Sequence, residues 1–364
     1  MYGVANVDYQ KALLNFAGGQ GYRTPGFSMP SLDPPLAKRL LSRIGKMQWC
    51  LNRYSLELNF DRGELTNAEF MDLARDWGFD GAQLHIAKNG PRVCLSGESD
   101  EDLKQLAEQK GKRKLDLQLD ISTTEKSEVE DAIRVARAMG TSVIRCYTRM
   151  GGTLKEICNQ TVRDLSYIAE MAEKWNQEFL LEQHELLTGY EMVDVVDRAG
   201  SDRIGILFDF GNPVSANREP LDDLMVMGKH IRGVHCKDVR IVGTDGFQAQ
   251  LGVEMGTGHL NLAKIFLDLL CLGSESDDAQ VKFFAIQMAV DHLCLGLRTP
   301  NESKTKIFAR RNPSKTSFPA NLTGNVLERR LEKERVDARE ALSHSKGIVE
   351  DLRGILASYL DSLD

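Results

Sequence analysis

Glu182, Asp209 and His235 place two carboxylates and an imidazole at the ends of three successive apolar runs, "FLLEQH", "IGILFD" and "IRGVHC". An apolar run that ends in a carboxylate carries that charge toward a low-dielectric interior. The cost is tolerable only if the charge is paired or holds a cation. A fourth run, "KFFAIQMAV", brings Gln287 to the equivalent position. Oxygen and imidazole donors without a thiolate suit one divalent metal ion (Mn2+, Mg2+, Co2+, Fe2+ or Zn2+) and are unlike a structural zinc site. An ion held by Glu182, Asp209, His235 and Gln287 would act as a Lewis acid toward adjacent carbonyl and hydroxyl oxygens, favouring a metal-bound enediolate. Asp209-Phe210-Gly211 also reads as the metal-binding triplet of protein kinases. The catalytic loop and Gly-rich loop that must accompany it are missing, so the match is incidental.

Other polar residues fall at the ends of apolar runs. His184 either acts on substrate or holds Glu182 in place. Lys237 either meets a substrate carboxylate or phosphate or pairs with its neighbour Asp238. His85 and Asn212 are expected to bind substrate, and Asp120 ends another run. Catalytic roles fall on Glu182, His184 and Lys237. Gly256 and Gly258 either let backbone N–H groups approach an anion or simply form a tight turn.

These residues need a scaffold that gathers strand ends. Short apolar runs at 47–52, 79–86, 114–122, 142–148, 179–184, 204–209, 231–236 and 282–290 alternate with stretches of helical spacing. In one of these, Phe70, Leu73, Ala74 and Trp77 share a stripe; in another, Val129, Ala132, Ile133, Ala136 and Met139 do. Eight strands alternating with helices predict an α/β fold, a (β/α)8 TIM barrel, whose active site lies at the strands' C-terminal ends. An open doubly wound sheet is the alternative. Residues 1–45 read as an irregular N-terminal extension and 46–364 as the barrel domain, with 291–324 a long rim loop and 325–361 a long closing helix.

Composition narrows the partners. The 364 residues are 42% hydrophobic and carry a net charge of −7, which disfavours nucleic acid as a partner. Seven scattered cysteines without a Cys-x-x-Cys pair fit a reducing compartment. No run has the length of a membrane span. The expectation is a cytoplasmic enzyme with a small-molecule carbohydrate substrate, no membrane and no nucleic acid; a homo-oligomer is compatible with this.

"FLLEQH", "ILFDFGN", "GVHCKD" and "EMGTGHLNLAKIF" resemble the xylose-isomerase-like TIM-barrel superfamily of sugar isomerases and epimerases. The resemblance covers about 45–290 and is most specific at 178–266. It implies one divalent metal on Glu182, Asp209 and His235, and a glutamate where this chain has Gln287. The family's epimerases use two glutamates as an acid/base pair, so Gln287 departs from plain epimerase chemistry. Within the superfamily, "HELLTGYEMV" and "KDVRIVGTDGFQAQLGVEMGTG" resemble 3-oxo-isoapionate decarboxylases. That resemblance implies a lyase acting on a 3-oxo sugar acid. A keto-sugar isomerase or epimerase is the alternative. An apurinic-site endonuclease shares the barrel but would need a larger set of His and carboxylate ligands.

Overall fold

In the computed structural model, residues 7–18, 29–86, 94–244, 247–296, 298, 306–307 and 322–364 are described. All eight expected strands are present: β1 Trp49–Asn52, β2 Gly81–His85, β3 Asp116–Asp120, β4 Val143–Cys146, β5 Glu178–Glu182, β6 Ile204–Asp209, β7 Ile231–Cys236 and β8 Phe283–Ile286. They are parallel and close into a barrel, since β1 pairs with both β2 and β8. The open-sheet alternative is thereby excluded.

Successive side chains on a strand face opposite ways, and this alternation sorts the barrel. Leu51, Leu84, Leu119, Ile144, Leu181, Phe208, Val234 and Phe284 join the main core with the surrounding helices. Cys50, Leu180, Leu207, Phe283 and Ala285 form a second, smaller cluster. Two residues beyond Cys50, Leu180 and Leu207 on the same strand faces stand Asn52, Glu182 and Asp209, all buried. One residue period therefore yields an apolar plug below and a polar layer above it.

Local sequence sets the helices. Thr66 and Glu69 form a capping box at the start of α3 (Asn67–Asp76), and Thr188 and Glu191 do the same for α7 (Gly189–Ala199). Between them lie α4 Asp100–Arg113, α5 Lys126–Met139 and α6 Leu154–Trp175; α8 Pro220–Met227 and α9 Leu262–Cys271 come after α7. Gly140 and Gly200 end α5 and α7 in the left-handed conformation, as their spacing predicts.

The segment 1–45 corrects an expectation, for it contains α1 (Tyr9–Gly18) and α2 (Pro34–Gly45). "SLDPP" suggested irregular chain. In fact Asp33 caps α2 through Leu36 N–H, and the prolines occupy the first turn, where no N–H is needed. Arg43 of α2 is fully buried and donates to the carbonyls of Leu270, Leu272, Ser274 and Ser276 at 2.6–2.8 Å. Replacing Arg43 by Met removes those bonds and is expected to cost on the order of 3 kcal/mol, read as a lower urea midpoint.

The chain closes with α10, Gly324–Asp361, close to the expected 325–361. Glu334 of α10 accepts from Leu58 N–H at 2.9 Å and Asn59 N–H at 3.1 Å. Burial outweighs these bonds and pushes its carboxyl from 4.5 up to about 7. A raised folded-state value means the fold holds a proton that the unfolded chain has lost. Stability from this group is therefore full below pH 4.5 and declines as pH rises to about 7. The melting temperature of Glu334→Gln should lack this decline, which is on the order of 3 kcal/mol.

Between β7 and β8 an antiparallel hairpin, Asp238–Thr244 with Phe247–Val253, rises from the rim. Much of the expected rim loop, residues 297, 299–305 and 308–321, lies outside the described residues. Its described parts pair Leu293–Cys294 with the hairpin, Arg298 with Glu191, and Lys306–Ile307 with Gly152–Thr153. These described points thus lie beside the hairpin, at the start of α7 and just after β4.

Candidate metal centre

Glu182, Asp209 and His235 converge at the ends of β5, β6 and β7. Their ligand atoms lie within 4.8 Å of one another, and all three are buried. His235 Nδ1 is 3.2 Å from Glu182 Oε1 and 3.8 Å from Asp209 Oδ2. Its other nitrogen, Nε2, is 2.9 Å from Gln83 Oε1, which can only accept. A neutral imidazole therefore carries its proton on Nε2 and turns the Nδ1 lone pair toward the carboxylates. Asn52 Nδ2 also donates to Gln83 Oε1 and, at 3.1 Å, to Asp120 Oδ2. Amides on β1 and β2 thus orient the imidazole on β7 across the barrel.

Asp209 is anchored through one oxygen: Oδ1 accepts from Gly211 N–H and Asn212 N–H, both at 2.9 Å. Its Oδ2 faces the cluster. Two cations reach the pair of carboxylates. Arg145 of β4 contacts Glu182 Oε2, and Lys237 Nζ stands 2.9 Å from Asp209 Oδ2. Neither contact has hydrogen-bond geometry, so both oxygens keep unused lone pairs in a buried setting. Asp120 Oδ1 is likewise without a partner. Burial would raise the Glu182 carboxyl, but Arg145 and then His235 outweigh it and hold it well below the usual range. Burial raises Asp120 despite Arg145. Burial would lower Lys237, and Asp209 overrides it, so the ammonium is kept.

The donor set fits a divalent ion. Two carboxylates with unspent oxygens and an imidazole with an oriented lone pair match the preferences of Mn2+, Mg2+ or Zn2+. Gln287 follows β8 at the same rim and is 8% exposed. Among the described residues, no hydrogen bond joins its side chain to the triad.

Asn212 uses its polar atoms inside the protein. Its Nδ2 donates to Gln183 O at 3.0 Å and Glu182 Oε1 at 3.3 Å, while its Oδ1 accepts from Lys237 at 3.0 Å and Gln250 at 3.3 Å. It is a post between the two carboxylate strands rather than a free substrate contact. His184 stacks on Tyr147 with ring centroids 4.2 Å apart, and its Nδ1 has no partner. His85 Nε2 is 2.8 Å from Ser122 Oγ; burial, with Arg53 and Arg145 nearby, lowers the imidazole to about 3, so it is neutral.

Asp238 does not pair with Lys237. Its carboxylate accepts from Gly256 N–H at 3.0 Å and Gly258 N–H at 2.8 Å. A Cβ at Gly258 would lie 2.1 Å from Asp238 Oδ1, and Gly256 has φ +86°. The Gly-Thr-Gly turn does cradle an anion, and that anion is the protein's own. Arg145, Asn52 and Gln83 are site residues that reading the sequence passed over. The signal for Arg145 was a charge inside the run "SVIRCYT", where a solvent-facing position is not available.

The fold and site define a closed (β/α)8 barrel with an acidic–imidazole cluster at its C-terminal mouth. The chain belongs to the xylose isomerase-like TIM barrel family, whose model matches residues 71–273. It is 28% identical over 317 residues to the uncharacterized protein YihM of Escherichia coli strain K12, covering 87% of this chain and 95% of that one. Among solved structures, an L-ribulose 3-epimerase is similar at TM-score 0.59 and 15% identity, over 87% of this chain and 98% of its own. A xylose isomerase-like barrel from Mycobacterium smegmatis, in complex with magnesium, is similar at TM-score 0.55 and 13% identity, over 86% and 99%. At these identities the two structures establish the fold.

Proposed function

We propose that the protein is a divalent-metal-dependent carbohydrate enzyme that decarboxylates a 3-oxo sugar acid of the 3-oxo-isoapionate type. The observation that carries this reading is the pair of buried cations, Arg145 and Lys237, at the edge of the acidic triad. With a divalent ion on the triad these cations leave one excess positive charge, which a substrate carboxylate neutralises and a neutral ketose does not. Glu182, Asp209 and His235 would hold the ion, with Gln287 as a neutral fourth donor. The magnesium in the Mycobacterium smegmatis barrel supports such an ion here. When bound, it supplies Lewis-acid stabilisation to the oxygens of the electron-rich product of C–C cleavage.

The chain's own residues do the rest. Lys237 and Arg145 orient the carboxylate. The C–C bond breaks, CO2 leaves, and its electron pair passes into the 3-oxo group as an enediolate. His184, with a nitrogen free of internal partners, returns one proton to the carbon. Glu182 stays ionised beside Arg145, and His85 binds substrate as a neutral imidazole. The chemistry needs one proton donor and no second carboxylate, which is consistent with Gln287.

A keto-sugar isomerase or epimerase is the second reading, favoured by the likeness to the L-ribulose 3-epimerase. The triad is the one three-ligand cluster of His, Cys, Asp or Glu among the described residues, which gives a nuclease reading no support. Metal analysis of the purified protein, then a screen of oxo sugar acids and keto-sugars with CO2 detection, tests the proposal. Turnover of ketoses with no CO2 from any oxo acid would sink it.

A further inference from the structure

We propose that Lys237 competes with the divalent ion for Asp209 Oδ2, so that an anionic substrate completes the metal site by drawing the ammonium away. Metal and anion then bind cooperatively. The inference rests on the functional reading above and concerns how that site loads.

Asp209 has one oxygen to give. Oδ1 is fixed by two backbone N–H groups, and Oδ2, which faces His235 Nδ1, is the oxygen that Lys237 approaches at 2.9 Å. Lys237 can leave it without being stranded, because Asn212 Oδ1 accepts from the same Nζ at 3.0 Å. Asn212 is held in turn by Gln183 O and Gln250. The ammonium therefore has a fixed pivot and one movable partner.

Charge balance gives the exchange its direction. Asp120, Glu182 and Asp209 face Arg145 and Lys237 in one buried layer, so with a neutral His235 the layer carries one excess negative charge. A divalent ion reverses that excess to one positive charge, beside an ammonium it repels. One carboxylate restores neutrality and offers Lys237 a new counterion. Each ligand thus removes the penalty of the other, which is the condition for positive linkage.

The experiment is calorimetric titration of Mn2+ into the full chain, with and without saturating glycolate, a non-reacting hydroxy monocarboxylate. Lys237→Met should bind Mn2+ about tenfold more tightly than wild type without glycolate, and glycolate should strengthen Mn2+ binding about tenfold more in wild type than in the variant. Equal Mn2+ affinities, or an equal glycolate effect in both proteins, overturn the proposal. Should the variant fail to fold, the wild-type arm decides: no glycolate effect there also overturns it. Wild type that takes up no Mn2+ under any condition would remove the functional reading as well, whereas tight uptake without linkage removes this inference alone.

Discussion

Asp209→Asn is expected to empty the metal site and abolish turnover while the barrel stays folded. The side-chain oxygen of Asn can keep the two bonds that Oδ1 accepts from Gly211 and Asn212 N–H. What changes is Oδ2, which becomes an amide nitrogen facing Lys237 and His235 Nδ1. An amide nitrogen has no lone pair for an ion. Loss of a partner that merely orients a ligand weakens metal binding or activity by about 10–100-fold, so loss of a ligand should exceed that. Elemental analysis and circular dichroism read the two halves of the prediction. Full metal occupancy in a folded variant would show that the site is misassigned.

Gln287→Glu separates the two chemistries. The change adds a negative charge at the β8 end, beside a layer whose three carboxylates already exceed Arg145 and Lys237 by one charge. At an effective dielectric near ~20, a unit charge ~4 Å from an anionic oxygen costs on the order of 4 kcal/mol. Binding of an oxo acid should weaken and CO2 release should fall, although metal affinity rises. An isomerase or epimerase would respond in the opposite sense, because a second carboxylate restores a base and should preserve or increase deuterium exchange from solvent into unreacted ketose. Robust exchange with no CO2 from any oxo acid would leave the isomerase reading standing.

The strands are legible in the sequence because parallel barrel strands are covered on both faces and read as continuous apolar runs. "IGILFD" forms β6 with unchanged ends, while "MQWCLN" shrinks to Trp49–Asn52 because pairing, not hydrophobicity, sets a strand's limits. Glu182, Asp209 and His235 are legible because a charge that ends an apolar run has few places to go. Arg145 is not, since its place inside a strand gives no hint of which inward layer it occupies. Asn52 and Gln83 escape notice for a related reason: their task is orientation of an imidazole on the far side of the barrel, a contact that no local spacing encodes. Asp238 misleads because its true partners, the Gly256 and Gly258 N–H groups, lie a hairpin away in sequence. The Asp-Pro-Pro start of α2 is a local signal that fits a helix cap or an irregular turn equally well, and only the apolar stripe of Leu36, Ala37, Leu40 and Ile44, on a helix packed against α10 and α9, decides between them.

The turn that encloses Asp238 bears on what kind of metabolite to test. Rim loops rich in glycine are where barrels of this architecture commonly seat a phosphoryl group, using backbone N–H donors. Here the donors of Gly256 and Gly258 are taken by a side chain two residues past β7, and Gly258 has no room for even a methyl group beside that carboxylate. A phosphate ester arriving at this turn would meet a negative charge where it needs a positive field. Assays should therefore start from free sugar acids and free ketoses, with their phosphorylated counterparts serving as the negative controls.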